Sequence, residues 1–142
     1  SEILDQYDAS RPFYRGGGIT VTGGEPLLQM EFVTELFEEA CRKGIHTCLD
    51  TSGVTFRASD KAYLEQLDRL LAYTRLVMLD LKQIDDEKHR ALTGHSNRNI
   101  LQFAEYLDQK QIPMWIRHVV VPVITDSEND LYHLGRYIRI SA

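Results

Sequence analysis

Along this chain, short β-branched runs alternate four times with longer stretches whose apolar residues recur every three to four positions. That alternation places parallel strands inside and helices outside. Residues 18–22 read as a first strand. A helix over 29–43 follows, with Phe32, Val33, Leu36, Phe37, Ala40 and Cys41 on one face and Gly44 as its stop. A second strand at 45–49 leads to a helix over 60–72, capped by Ser59 or Asp60, with Tyr63, Leu64, Leu67, Leu70 and Leu71 facing inward. The third strand, 76–81, is almost wholly apolar, as a strand covered on both faces should be. A short helix over 86–92, a break at Gly94 and a helix over 98–109 carrying Ile100, Leu101, Ala104 and Leu107 inward come next. The fourth strand spans 113–121, with Pro113 at its first position and Pro122 just past its end, where no ladder donor is lost. Asp126 or Ser127 then caps a last helix with Leu131, Leu134 and Ile138 on one side.

Ahead of the first strand, Ile3, Leu4 and Tyr7 mark a helix with no strand of its own, and the final helix has no strand after it to cover. Both ends therefore read as cut. No repeat, low-complexity tract or long polar linker divides the chain, so residues 1–142 form a single α/β domain. A closed eight-stranded barrel takes roughly 200 residues or more, so four βα units make an arc of one, a partial (β/α) barrel.

Composition narrows the function classes. A chain of 142 residues with 43% hydrophobic and 26% charged content suits one ordinary soluble domain. It has no apolar run of about 18 residues and no basic-then-apolar start, so neither a membrane span nor export is expected, and the cytoplasm is. A formal net charge of -5 leaves no excess of Lys and Arg to neutralise phosphates, which argues against nucleic acid. Cys41 and Cys48 are too few for a disulfide framework, and each sits in an apolar periodic segment where a free cysteine packs.

The polar exceptions cluster at strand ends: Gly23-Gly24-Glu25, Asp50-Thr51-Ser52, Asp80-Leu81-Lys82 and Arg117. In parallel barrels those ends share one rim, where ligands bind. At the first rim segment the glycines let backbone approach a ligand and Glu25 offers an acceptor to an ammonium; a plain strand-to-helix turn at Glu25-Pro26 is the structural alternative. Met78, Asp80 and Lys82 alternate along one strand, so they share a face opposite Val77, Leu79 and Leu81. Charges there must be paired or face a wet pocket. Asp50, Thr51 and Ser52 supply hard oxygens for a small cation or ligand hydroxyls, or else form an Asx turn before Gly53. Arg117, in a strand that otherwise reads as buried, needs an anionic partner, either a substrate carboxylate or a neighbouring Glu. The histidines at 46, 89, 95, 118 and 133 lack a paired metal-ligand spacing and read as surface or satisfied polar groups, with His95 on a loop that can approach the rim.

Taken together and in this order, TGGEPLLQ, GIHTCLDTSG, LVMLDLKQID and WIRHVVVP, with ITDSENDLYHLG after the last, resemble the activating enzymes of glycyl-radical enzymes. These belong to the radical S-adenosylmethionine superfamily, and the pyruvate formate-lyase branch is the most similar. The resemblance implies an incomplete, six-stranded, three-quarter barrel, of which these four strands would be the interior ones. The cluster-binding N-terminal loop and the C-terminal strand would lie outside the chain. It further implies S-adenosylmethionine as cofactor, cleaved by a reduced 4Fe-4S cluster to methionine and a 5'-deoxyadenosyl radical. That radical takes a hydrogen from a glycine of pyruvate formate-lyase or a related glycyl-radical enzyme, with flavodoxin or ferredoxin as reductant.

By motif position, Gly23, Gly24 and Glu25 would meet the amino group of the cofactor, and Asp80, Leu81 and Lys82 its ribose or carboxylate, beside Asp50. Asp50, Thr51, Met78 and Asp80 would hold a monovalent cation, Thr51 and Met78 through backbone oxygens. Arg117 would position the partner's loop. The family's Cys-x3-Cys-x2-Cys loop is absent, and Cys41 and Cys48 have neither the number nor the spacing to replace it. No catalytic residue is therefore assigned, and this chain alone is expected to be inactive. Val123 stands where the family usually has glycine, and a few extra residues separate Asp50 from Met78. Two other readings compete: a cluster-free module that binds S-adenosylmethionine or docks a partner, and an unrelated barrel lyase with Lys82 as a Schiff base.

Overall fold

In the computed structural model, which describes residues 1–14 and 16–140 except for the side chain of Ile140, four parallel strands form one sheet. They are β1 (Gly18–Val21), β2 (His46–Thr51), β3 (Leu76–Asp80) and β4 (Met114–Arg117). Their order in space is their order in the chain. Right-handed crossovers between successive neighbours put every connecting helix on the same side, which is how a (β/α) barrel winds. Helix α1 (Glu2–Ser10) precedes the sheet, while α2 (Met30–Arg42), α3 (Lys61–Leu71), α4 (Asp86–Thr93) and α5 (Arg98–Gln109) connect its strands. Helix α6 (Glu128–Ile140) follows β4. The architecture is the expected partial barrel of four βα units.

The core lies between sheet and helices. Val77, Leu79 and Leu81 point outward from β3 and its C-terminal end and are buried with Phe37, Leu67, Phe103 and Leu107, as the alternation predicts. Helix boundaries follow their local chemistry. Asp60 caps α3 by accepting from the Tyr63 N–H at 3.1 Å, Asp85 caps α4 through the Lys88 N–H at 2.9 Å, and Gly94 ends α4 at φ +79°. Ser127, rather than Asp126, bonds the start of α6, its hydroxyl accepting from the Asp130 N–H at 3.5 Å.

Several inward assignments need correcting. Phe32 sits at the edge of the α2 stripe and is 51% exposed, while Thr34 is buried and satisfied by donating to the Met30 carbonyl at 2.6 Å. Cys41 and Leu131 are half-buried and Ile138 is exposed, whereas Leu64 and Leu101, though only partly buried, pack against the core as expected. The fourth strand is the largest departure. It stops at Arg117, because only β3 lies beside it and that ladder ends where the Leu81 N–H donates to the Arg117 carbonyl at 3.0 Å. Val119, Val120 and Val121, which read as strand, are exposed instead.

Candidate functional site

The four rim segments come together at the C-terminal ends of the strands. Register explains the grouping: Asp50 lies opposite Met78, which lies opposite Trp115, and Asp80 lies opposite Arg117. All of these occupy the inner face, away from the helices.

At the end of β1, the Thr22 hydroxyl donates to Asp50 Oδ2 at 3.1 Å. Gly23 and Gly24 then turn the chain at φ +86° and +58°, with open space where a Cβ would stand. Conformation, not crowding, calls for glycine there. Glu25 is the N-cap of the 3-10 turn Pro26–Gln29, accepting from the Leu27 N–H at 3.2 Å. Its carboxylate also spans to the loop after β2, taking bonds from the Thr51 hydroxyl and from the N–H and hydroxyl of Ser52 at 3.1 and 2.5 Å. The sequence suggested the turn at Glu25; the cross-strand staple to Thr51 and Ser52 was not visible in local pattern.

Arg117 is the hub of the other half. Its two terminal nitrogens donate to Asp50 Oδ2 and Oδ1 at 2.9 and 2.8 Å, and its Nε donates to Asp80 Oδ1. Asp80 Oδ2 accepts from Lys82 Nζ at 2.8 Å. Burial by itself raises the Asp80 carboxyl, but the Arg117 and Lys82 hydrogen bonds outweigh it and hold the group below the usual carboxylate range. The hydrogen bonds that Arg117 donates to Asp80 and Asp50 raise its guanidinium in turn. The acid that Arg117 required is thus supplied by its own chain, as two aspartates from the neighbouring strands rather than a glutamate. A fork against two carboxylates is a geometry that lysine cannot reproduce.

Beyond Lys82 a cavity of about 130 Å³ opens, lined by Ser52, Asp80, Lys82, His89, Thr93 and His95 among others. His95 does approach the rim. His89, read as a surface or satisfied group, is buried: its Nδ1 faces the His95 carbonyl at 2.8 Å, and its Nε2 has no partner among the described residues. His118 lies between the carbonyls of Leu81 and Thr125, at 2.9 and 3.2 Å, and closes the loop after β4 against β3. Leu81 does not face the rim: its side chain is in the core and its backbone is engaged by Arg117 and His118.

The cysteines stay apart. Cys41 in α2 donates to the Tyr73 carbonyl at 3.4 Å, and burial pushes the Cys48 thiol up, away from thiolate. Among the described residues, no three His, Cys, Asp or Glu side chains group as a metal site. The chain's own residues therefore do not fit an iron-sulfur cluster. No helix among the described residues is long and apolar enough to cross a membrane. Sequence reading also missed a buried link under the rim. Gln83 donates to Asp130 at 3.1 Å, Lys88 donates to the same carboxylate at 2.6 Å, and Asn97 donates to the Gln83 and Ile84 carbonyls, so the start of α6 is tied to α4 and α5.

A parallel arc with charged and glycine-bearing strand ends at one rim is matched by the family model of the radical SAM superfamily over residues 1–135, and the chain belongs to that superfamily. Within it, the chain is similar to pyruvate formate-lyase-activating enzymes. That of Streptococcus mutans is 53% identical over 123 residues, covering 87% of this chain and 46% of the relative. That of Staphylococcus epidermidis is 45% identical over 139 residues, covering 96% and 55%. A crystal structure of a domain of the pyruvate-formate lyase-activating enzyme from Bacteroides vulgatus superposes with a TM-score of 0.74 at 27% identity, covering 86% of this chain and 71% of that one. The chain spans about half the length of the curated relatives it matches.

Proposed function

We propose that the protein carrying this chain activates pyruvate formate-lyase, and that this chain forms the cofactor-binding arc of its barrel. Similarity to enzymes named for that activity, over nearly the whole of these residues, is the observation that carries the reading. In the whole protein, S-adenosylmethionine would supply the radical chemistry by which a hydrogen is taken from a glycine of the partner, and the residues of this arc would bind and orient it. The thiolates of the 4Fe-4S cluster would come from outside these residues, and flavodoxin or ferredoxin would deliver the electron.

The rim suits the cofactor chemically, since a sulfonium, an ammonium, a carboxylate and a ribose diol require acidic, basic and backbone partners together. Gly23 and Gly24 offer backbone at positive φ to the amino group. Glu25, whose oxygens accept from Leu27, Thr51 and Ser52, fixes the shape of that loop as well as its charge. Asp80 and Lys82, with Leu81 between them, hold the ribose or the carboxylate. Asp50 and Asp80, with the backbone oxygens of Thr51 and Met78, hold a monovalent cation. Arg117 faces the partner's loop, and the protein works in the cytoplasm.

The test uses the protein at its full natural length, reconstituted anaerobically with iron and sulfide and given a reductant, S-adenosylmethionine and pyruvate formate-lyase. The expected result is 5'-deoxyadenosine together with a glycyl-radical signal on the partner. Measurable S-adenosylmethionine binding with neither product would favour the cluster-free module and sink this reading.

A further inference from the structure

Two carboxylates reach the rim from neighbouring strands and share one guanidinium. The side chains of Asp50 and Asp80 are only 9% and 14% exposed, whereas that of Arg117 is 45% exposed. The acids are thus built into the wall, and the arginine lies over them from the solvent side. We propose that Arg117 is a displaceable internal counter-ion: an alkali-metal ion entering between Asp50 and Asp80 replaces its guanidinium.

This rests on the reading above, which brings a monovalent cation to these residues, and three features of the rim carry it further. First, Asp50, Asp80, Lys82 and Arg117 together are electrically neutral, and exchanging the arginine for a singly charged ion keeps them so. A divalent ion in its place leaves an excess positive charge at low dielectric. Second, the exposed arginine can leave outward without disturbing the ladder, because its backbone stays paired with β3. Third, carboxylate oxygens are hard donors that suit an alkali ion once the guanidinium gives them up. While Arg117 covers the cradle, the apparent affinity for the ion is lowered by the fraction of molecules in which the cradle is free.

Trp115 provides a readout independent of catalysis. It is the only tryptophan of these 142 residues, it lies two residues before Arg117 on the same face, and it pairs in register with Met78. A Trp115→Phe control separates its emission from that of any tryptophan elsewhere in the protein. Tryptophan emission and thermal unfolding of the full-length protein are followed in sodium, potassium or choline chloride at constant ionic strength, for wild type, Arg117→Gln and Arg117→Lys. Sodium or potassium should give a saturable response with a half-saturation at least tenfold lower in Arg117→Gln than in wild type, and choline none. Arg117→Lys should fall between, since an ammonium cannot span both acids as the fork does.

Equal half-saturation in wild type and Arg117→Gln, an equal response to choline, or no response in any of the three proteins overturns the proposal. An Arg117→Gln protein that is unfolded in choline and folded in sodium or potassium supports it. If that variant is unfolded in every salt, a lowered half-saturation in Arg117→Lys supports the exchange and a wild-type value overturns it. Formation of 5'-deoxyadenosine without these salt effects would sink the exchange while leaving the enzymatic reading in place. The reverse pattern would do the opposite.

Discussion

Val123 carries a β-branched side chain at φ +68°, 95% exposed, in the loop after β4. Its left-handed backbone is costly for such a residue, on the order of 1–3 kcal/mol, and its side chain gains little packing in return. Val123→Gly should therefore raise stability by about 1 kcal/mol, after allowing for the greater freedom glycine has in the unfolded chain. The midpoint of urea unfolding measures this, and an unchanged or lower midpoint would remove the strain argument. The sequence marked this position because valine stands where the resembled family has glycine, but it held no sign of the φ value behind that preference. Gly53 went unremarked beyond its place after an Asx turn. Yet it lies at φ +67°, with Leu79 and Phe103 atoms 2.9 and 3.0 Å from where a Cβ would be. Partners distant in sequence, such as those of Glu25 and Arg117, became visible only once the register was known. Which residue types would gather at the rim was legible; which acid would hold which base was not.

Between α4 and α5, Asp86 works as a staple. Its Oδ1 accepts from the Ser96 hydroxyl at 2.6 Å and the Asn97 N–H at 2.9 Å, and its Oδ2 accepts from Arg90 Nε at 2.9 Å. The Ser96 hydrogen bond, then that from Arg90, lowers its pKa from 3.8 to about 2. Because the folded value lies below the unfolded one, the staple's contribution is complete above about pH 4. It is lost as the pH falls towards about 2. Asp86→Asn should flatten that part of the acid limb. Thermal midpoints taken between pH 5 and pH 2 should fall more steeply in wild type than in the variant, and parallel curves would count against the staple. Element boundaries were largely readable, because period and capping residues agree at α3 and α4. The fourth strand overran because an apolar run shows β propensity whether or not a neighbour exists to pair with it. The loop closed by His118 depends on carbonyls of Leu81 and Thr125, which local sequence does not display.

Across the whole molecule, the helix-facing side of the sheet is filled and the far edge is not. β4 is the last strand of the described sheet, and Trp115, Val119, Val120 and Ile124 on or after it are exposed. Such an edge with apolar neighbours favours association between copies of the 142-residue chain. Val120→Lys should lower the light scattering of a concentrated solution of that chain while leaving its circular dichroism unchanged; scattering equal to wild type would show that this edge is not responsible. The overall winding was legible because four repeats of strand and helix admit few topologies. The open side of the sheet was harder to anticipate, since apolar residues that await cover look the same in sequence as those that have it.

That winding bears on how the protein is made. With β1 to β4 side by side in the order of synthesis, each strand leaving the ribosome finds its neighbour already laid down. Growth can then proceed unit by unit, with short loop closures and without waiting for a distant segment to arrive.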